Sequence, residues 1–511
     1  MQGQNRPTKK HFKSDFGFII SIIAVSLGMG GLLLPAPSAY EYGQGNFFLV
    51  MLLCLPLVAL PFLFIEIKLG EKTGLSLPAA LKTEAGRAGE FGGWLAVLNS
   101  TMLLAMMVCL LSLSIGMYSG VWSELWQEFL PTPALAPYIN QAPNPQAFFY
   151  NLATSWNPLY IAGIIWTIAA AAIFAGHRLT EFISTYIVPV LLFFTLMIFI
   201  AVSLMPHSLS GMQAVFTPTM DTLANPGLWR HALALSLLGL SLGTGIIPAF
   251  ASHRKSQGKV LGISIFAASL KYIFMLLIML IFFGMISSTA TNTQSGNLLT
   301  TFISLPEAIS KLLTAHTTSA IIYLSFLSIV SIPAILALLE NLAASFQDSF
   351  GTSRIKTAVF ILIAGFISSC ALLLPTVIDY RFSHSGTLGL SITTLLEHWA
   401  PFYGILGVAL IQSVVLGWLM GKDKLKILIG NKHPRLASIL LLQLRFLIPL
   451  LIAGVLGWSV FSETNTGLYG GDINFDKFSA LPLAVFIFWL VFTVGGASLL
   501  VLLPKEQEAQ K

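Results

Sequence analysis

One short motif and its echo limit what this chain can fold into. Ser26-Leu27-Gly28-Met29-Gly30, followed by Leu34-Pro35-Ala36, returns as Ser241-Leu242-Gly243-Thr244-Gly245, followed by Ile247-Pro248-Ala249. Each copy lies in an apolar run long enough to cross a bilayer, which takes about 20 residues. Glycine and proline at mid-depth interrupt a helix and free backbone N–H and C=O groups that lipid cannot satisfy, so each break must face protein, a water-filled cavity or a ligand. One copy alone would read as close helix packing of the GxxxG kind. Two copies, each followed by proline, point to a central binding site.

The rest of the chain supplies the membrane. Of 511 residues 56% are hydrophobic and 9% charged, against about 25% charged in a soluble domain. With a mean hydropathy of +0.82, a water-soluble globule is excluded. Apolar runs fall near 16–39, 46–69, 93–122, 158–176, 179–206, 226–252, 260–285, 317–347, 357–375, 391–421, 436–460 and 478–504, which makes twelve spans. With a cytoplasmic N-terminus, 21 of the 27 Lys and Arg fall on inner segments, and the outer segments hold only Arg230, Lys311, Arg381 and Lys477. The positive-inside rule therefore puts both termini in the cytoplasm. The net charge of +6 reflects topology rather than nucleic acid.

The basic N-terminus before the first run superficially looks like a secretory signal, but the run continues past Gly28 without a small-x-small cleavage site, so it reads as a retained span. Cys54, Cys109 and Cys370 show no CxxC or CxxH spacing, which points to neither a disulfide framework nor a zinc site. The nine histidines fall mostly in loops or at span ends, His177, His253, His384 and His433 among them, so no metal cluster is expected. Residues 123–157, rich in Pro and Asn, read as an outer loop.

Because five spans separate the two copies, the second enters the membrane from the opposite side, and spans 1–5 and 6–10 can be inverted repeats. The expected organisation is a cytoplasmic tail over 1–15, a first repeat over 16–206, an outer loop over 207–225, a second repeat over 226–421, two extra spans over 422–504 and a cytoplasmic tail over 505–511. The fold class is all-α and polytopic, with twelve transmembrane helices, of which 1 and 6 are broken.

Residues 15–47 (DFGFIISIIAVSLGMGGLLLPAPSAYEYGQGNF) and 61–70 (PFLFIEIKLG) resemble signatures of the neurotransmitter:sodium symporter family, which has the leucine-transporter-type fold. The stretches 216–227 with 240–245, 337–351 and 395–419 resemble its approach to helix 6 and its helices 8 and 10. The resemblance implies a secondary transporter of amino acids or related amines that rocks helices 1, 2, 6 and 7 against a scaffold.

It also implies a set of site residues. Met29 and Gly30 take the place where the half-helix after the break presents unpaired N–H groups to a substrate carboxylate. Met107 stands where the family's helix 3 has a tyrosine. Leu238, Gly239, Ser241, Thr244 and Gly245 fall on pocket positions, with Thr244 replacing an aromatic, so a roomier or differently polar cavity is expected. The family's first sodium cage is altered: Gly31 replaces an Asn and Lys271 an Asn or Asp, from the register SLKYIFMLLIMLIFFG over 269–284. At the second cage Pro333 and Ala334 replace paired hydroxyls, leaving carbonyls near Ala24, Leu27 and Val330. Sodium requires oxygen ligands, so two-sodium coupling is not expected. The Lys271 ammonium is instead expected to replace the first sodium; about 11 residues into its span, it lies roughly 16 Å deep at about 1.5 Å per residue.

Glu66 matches a carboxylate that supports the break in helix 6, and Gln412 replaces a second. Glu397 matches an outer-gate acid whose arginine partner is Leu34 here. Glu340 resembles a carboxylate found on helix 8 in bacterial relatives, without an assigned role.

The function expected from these residues is transport of a small amino acid or related zwitterion, in a bacterial inner membrane, driven by protons, exchange or a residual sodium site. The alternative is a ligand sensor or exchanger that keeps the fold. No enzyme is expected, since no nucleophile and base pair or metal motif occurs at mid-depth. No cofactor and no nucleic-acid partner is expected, and the oligomeric state is left open.

Overall fold

The computed structural model describes residues 11–28, 34–122, 145–219, 221–254, 258–289, 298, 300–312, 316–376, 387–429, 434–466 and 480–503. The described residues are helical almost throughout and form no β-sheet. In chain order the helices are α1 (Asp15–Ser26) and α2 (Pro35–Glu41), α3 (Gln44–Thr73), α4 (Leu77–Trp122), α5 (Pro145–Ala153), α6 (Asn157–Ala172), α7 (His177–Ser203) and α8 (Ser208–Ala214). They continue with α9 (Pro226–Leu238), α10 (Ile246–Ala251) and α11 (Val260–Thr289), α12 (Leu305–Leu312), α13 (His316–Phe350) and α14 (Arg354–Leu372). The last are α15 (Leu388–Leu419), α16 (Lys422–Ile429), α17 (Ala437–Asn465) and α18 (Ala480–Leu502).

Among the described residues nine helices are long and apolar enough to cross a membrane: α3, α4, α7, α11, α13, α14, α15, α17 and α18. α1 and α6 are shorter apolar helices. α9 and α10 stand in line but are interrupted, and together they cover the run expected over 226–252.

Two expectations need correction. The run expected at 93–122 begins its helix at Leu77, and Gly86, at φ 68°, separates a short lead-in helix from the span. The segment 123–157 is not all loop, since α5 and the start of α6 lie in it; residues 123–144 are outside the described set. The connection after α11 carries a further short helix, α12, with a wide helical turn at Thr300–Ser304 before it. Helices of eight or nine residues escape a search for runs of about 20.

Packing places the interrupted pair at the centre. α10 lies along α3 and α13, and α9 along α3, α15 and α17. α4 and α13 share the most extensive interface. Every residue from Leu237 to Ala251 is buried, while α7, α14 and α18 turn large side chains such as Phe193, Phe360 and Phe488 outward, as a lipid-facing ring requires.

Candidate functional site

The break between α9 and α10 is a turn in which Ser241, Gly243 and Gly245 all take positive φ, at 57°, 69° and 88°. The left-handed region suits glycine but strains a serine, so the turn must be held by its surroundings. Two side chains hold it. Glu66 of α3 accepts a hydrogen bond from the Gly243 N–H at 3.2 Å, and Asn341 of α13 donates to the Thr244 carbonyl at 2.8 Å. Each group would otherwise be a backbone orphan in an apolar interior.

Thr244, expected to leave the cavity roomier or differently polar, has its hydroxyl engaged in the turn itself. Its hydroxyl donates to the Ser241 carbonyl at 2.6 Å and accepts from the Ile246 N–H at 3.3 Å. The buried Ser241 hydroxyl and the second Glu66 oxygen have no hydrogen-bond partner among the described residues. The same holds for both polar atoms of the Gln412 side chain, on the helix whose Val408 and Ile405 pack against Gly243.

α1 ends at Ser26, nine residues before Pro35. Its cap, Leu27, donates back to the Ile23 and Ala24 carbonyls, which leaves the Ser26 carbonyl for another donor. The Lys271 ammonium supplies it, at 3.2 Å. Lys271, on α11, is 1% exposed. Its head also lies against the end of α9: a methyl group on Gly239 would come within 3.2 Å of Lys271 Cε and 3.5 Å of Nζ. The Lys271 nitrogen thus faces the C-terminal ends of α1 and α9, where the helix dipoles place partial negative charge. Met29, Gly30 and Gly31 lie outside the described residues.

At the expected second cage, Gly28 packs so closely on Val330 and Ala334 that a methyl there would meet the Val330 carbonyl oxygen and the Ala334 methyl. Ala24, Leu27, Val330, Pro333 and Ala334 are all buried. Pro333 has no N–H to give the carbonyl one turn earlier, so backbone oxygens are the donors present. None of the five side chains offers an oxygen.

A small cavity of about 30 Å³ is lined by Leu34, Met107, Leu238, Thr301 and Glu397 among others. Leu34 and Glu397 line it together, and Thr301 roofs it from the connection after α11. Ser241 and Gly245 are not among its lining residues.

Two groups outside the expected set matter here. Asn341 was hidden beside Glu340; the signal for it is a polar amide in an apolar helix. Arg230 was expected on an outer segment, yet it is buried in α9. It is ion-paired with Glu463 of α17 and donates to the Tyr403 hydroxyl at 2.7 Å. Tyr403 donates to Glu463 at 2.8 Å, and His398 lies 3.2 Å from the same carboxylate.

A multi-pass helical membrane protein with a helix interrupted at its buried centre, as between α9 and α10, has the architecture of broken-helix secondary transporters. Residues 151–494 match the Sodium:neurotransmitter symporter family, and the chain belongs to that family, one of symporters rather than enzymes. It is 23% identical over 438 residues to an uncharacterized sodium-dependent transporter of Methanocaldococcus jannaschii, covering 82% of this chain and 83% of that one. It is 21% identical over 468 residues to the sodium-dependent nutrient amino acid transporter 1 of Drosophila persimilis, covering 82% and 70%. The crystal structure of MhsT in complex with L-phenylalanine superposes with a TM-score of 0.73 at 17% identity, covering 88% of this chain and all of that one. This last likeness is one of fold.

Proposed function

We propose that this protein is a secondary active transporter of a small amino acid or related zwitterion, and that the Lys271 ammonium does the work of the first sodium ion. The observation that carries the reading is the Lys271 to Ser26 hydrogen bond beside Gly239. A single positive charge there joins the ends of two half-helices, as a coordinated cation would. Met29, Gly30, Leu238, Gly239, Ser241, Thr244 and Gly245 are the proposed substrate positions with Met107. Glu66 and Asn341 support the break, Gln412, which has no hydrogen-bond partner among the described residues, is the proposed second support expected from the family, and Glu397 with Leu34 forms the outer gate.

Nine long helices, the shorter α1 and α6, and the interrupted α9 and α10 account for twelve crossings. These support spans 1–5 (16–206) and 6–10 (226–421) as inverted repeats, with two further spans over 422–504. The tails at 1–15 and 505–511 then lie on the basic, cytoplasmic face. The names of the nutrient amino acid transporter and of the MhsT complex with phenylalanine favour an amino-acid substrate.

The test is uptake of labelled amino acids by proteoliposomes, in sodium and in choline, with and without a pH gradient, beside thermal-shift measurements on the same panel. Saturable uptake that persists in choline is expected. A ligand that raises the unfolding temperature without any flux would make the protein a sensor, and neither effect across the panel would overturn the reading.

A further inference from the structure

Away from the helix breaks, three ligand-bearing side chains from different parts of the fold converge near the basic face. His177 is the first residue of α7, His253 follows the end of α10 by two residues, and Glu340 projects from α13. One ligand atom from each lies within 4.8 Å of the others. The two imidazole rings stack with centroids 4.0 Å apart and planes inclined by 22°. All three side chains are buried. His177 is 3% exposed, and its Nε2 has no hydrogen-bond partner among the described residues. A buried imidazole nitrogen left in that state is uncommon.

We propose that His177, His253 and Glu340 bind a divalent transition-metal ion of the zinc class, with its fourth position open. Two imidazoles and one carboxylate suit a borderline ion such as zinc, whereas calcium and magnesium take oxygen ligands. Zinc–nitrogen bonds of about 2.0–2.1 Å put tetrahedral ligands roughly 3.3 Å apart, so the ligand atoms, now within 4.8 Å of one another, would draw in around the ion. The competing charges are Arg178, beside His177 in the chain, and Arg354, whose Nη2 lies 3.5 Å from Glu340 Oε1 and whose Nη1 donates to the Ile173 carbonyl at 2.9 Å. At 39% exposed the Arg354 side chain has water to retreat into, and the carboxylate has a second oxygen.

The ion would act as a staple. The His253 carbonyl also accepts from the Phe12 N–H at 3.0 Å, and it lies 3.2 Å from His11 Nδ1. A metal at His253 therefore ties the segment leading into α1 and the end of α10 to α7 and α13. If the transport reading holds, that joins the moving helices to the scaffold on the cytoplasmic side and arrests the cycle; metal binding itself does not depend on that reading.

The experiment uses the full-length, untagged protein in detergent. Calorimetric titration with zinc chloride is expected to show one ion per chain, and Co²⁺ to give the visible absorption of a tetrahedral site. His177→Ala and Glu340→Gln are each expected to weaken zinc binding at least tenfold, and Arg354→Ala to tighten it. Thermal unfolding in EDTA establishes that each variant is folded; should His177→Ala fail that check, His177→Gln replaces it. Folded wild-type protein that binds no zinc, or binding unchanged in the His177 and Glu340 variants, would overturn the site. In proteoliposomes zinc is expected to stop uptake by the wild type and spare the His177 variant. Zinc bound at the site with uptake unaffected would overturn the staple, whereas absent uptake in EDTA would count against the transport reading alone.

Discussion

The two halves of the interrupted helix each carry an arginine toward the far end, and the two arginines are held differently. Arg230, in the first turns of α9, is paired with Glu463 of α17 and hydrogen-bonded to Tyr403 of α15. Arg254, just beyond α10, is paired with Asp15 of α1 at 2.8 Å and with Glu71 of α3. Arg230 thus reaches helices outside the group formed by spans 1, 2, 6 and 7, and Arg254 stays within it. Under the transport reading and the proposed orientation, the inner latch at Arg254 travels with the moving unit and the outer latch at Arg230 must break in each cycle. At the inner end the unit is joined to α7 by lighter contacts: the Lys13 N–H donates to Glu181 at 3.0 Å, and His253 stacks on His177.

The largest expected effect comes from breaking the outer latch on one side only. Arg230→Met leaves Glu463 largely buried without its cation, and removal of one partner from a buried pair costs about 3–5 kcal/mol. Thermal unfolding in detergent measures this. Arg230→Met with Glu463→Met is expected to recover most of the loss, because an apolar pair avoids the desolvation penalty. A single variant as stable as the wild type would remove the outer half of the comparison.

Between the two ends, Asn341→Ala orphans the buried Thr244 carbonyl. A loss of about 1–3 kcal/mol is expected, read by the same unfolding assay. Next comes accessibility. With Met107→Cys as reporter, Glu463→Gln is expected to speed labelling from the outer side about tenfold, a shift of about 1.4 kcal/mol toward the open state. Arg254→Met is expected to leave that rate unchanged, and equal acceleration by both variants would show that the latches are equivalent. The smallest effect belongs to Asp15→Asn, at under about 1 kcal/mol in thermal unfolding, since the Asp15 side chain is 40% exposed and Glu71 still holds Arg254.

What was legible in the sequence follows from what a single chain can encode locally. The break in helix 6 was legible because glycine and proline at mid-depth have few other uses, and its support by Glu66 followed from the family register. Lys271 stood out because a lysine near mid-bilayer is costly. The Arg230 to Glu463 pair was not legible, since its members lie 233 residues apart and only the packing of α9 on α17 joins them. Their shared depth near the outer ends of two apolar runs was the one available signal. His177 and His253 looked like ordinary span-end residues for the same reason. For Thr244 the sequence suggested a roomier or differently polar cavity, and the hydrogen bond of its hydroxyl within the turn was not legible.

The proposed role of the Lys271 ammonium in place of a sodium ion is tested most directly by Lys271→Met. Amino-acid uptake by proteoliposomes in choline buffer, compared between wild type and Lys271→Met at matched folded protein, is the measurement. Sodium-independent uptake by the wild type and its loss in the variant is the expected result. Equal uptake by the two proteins, or wild-type uptake that vanishes without sodium, would contradict it.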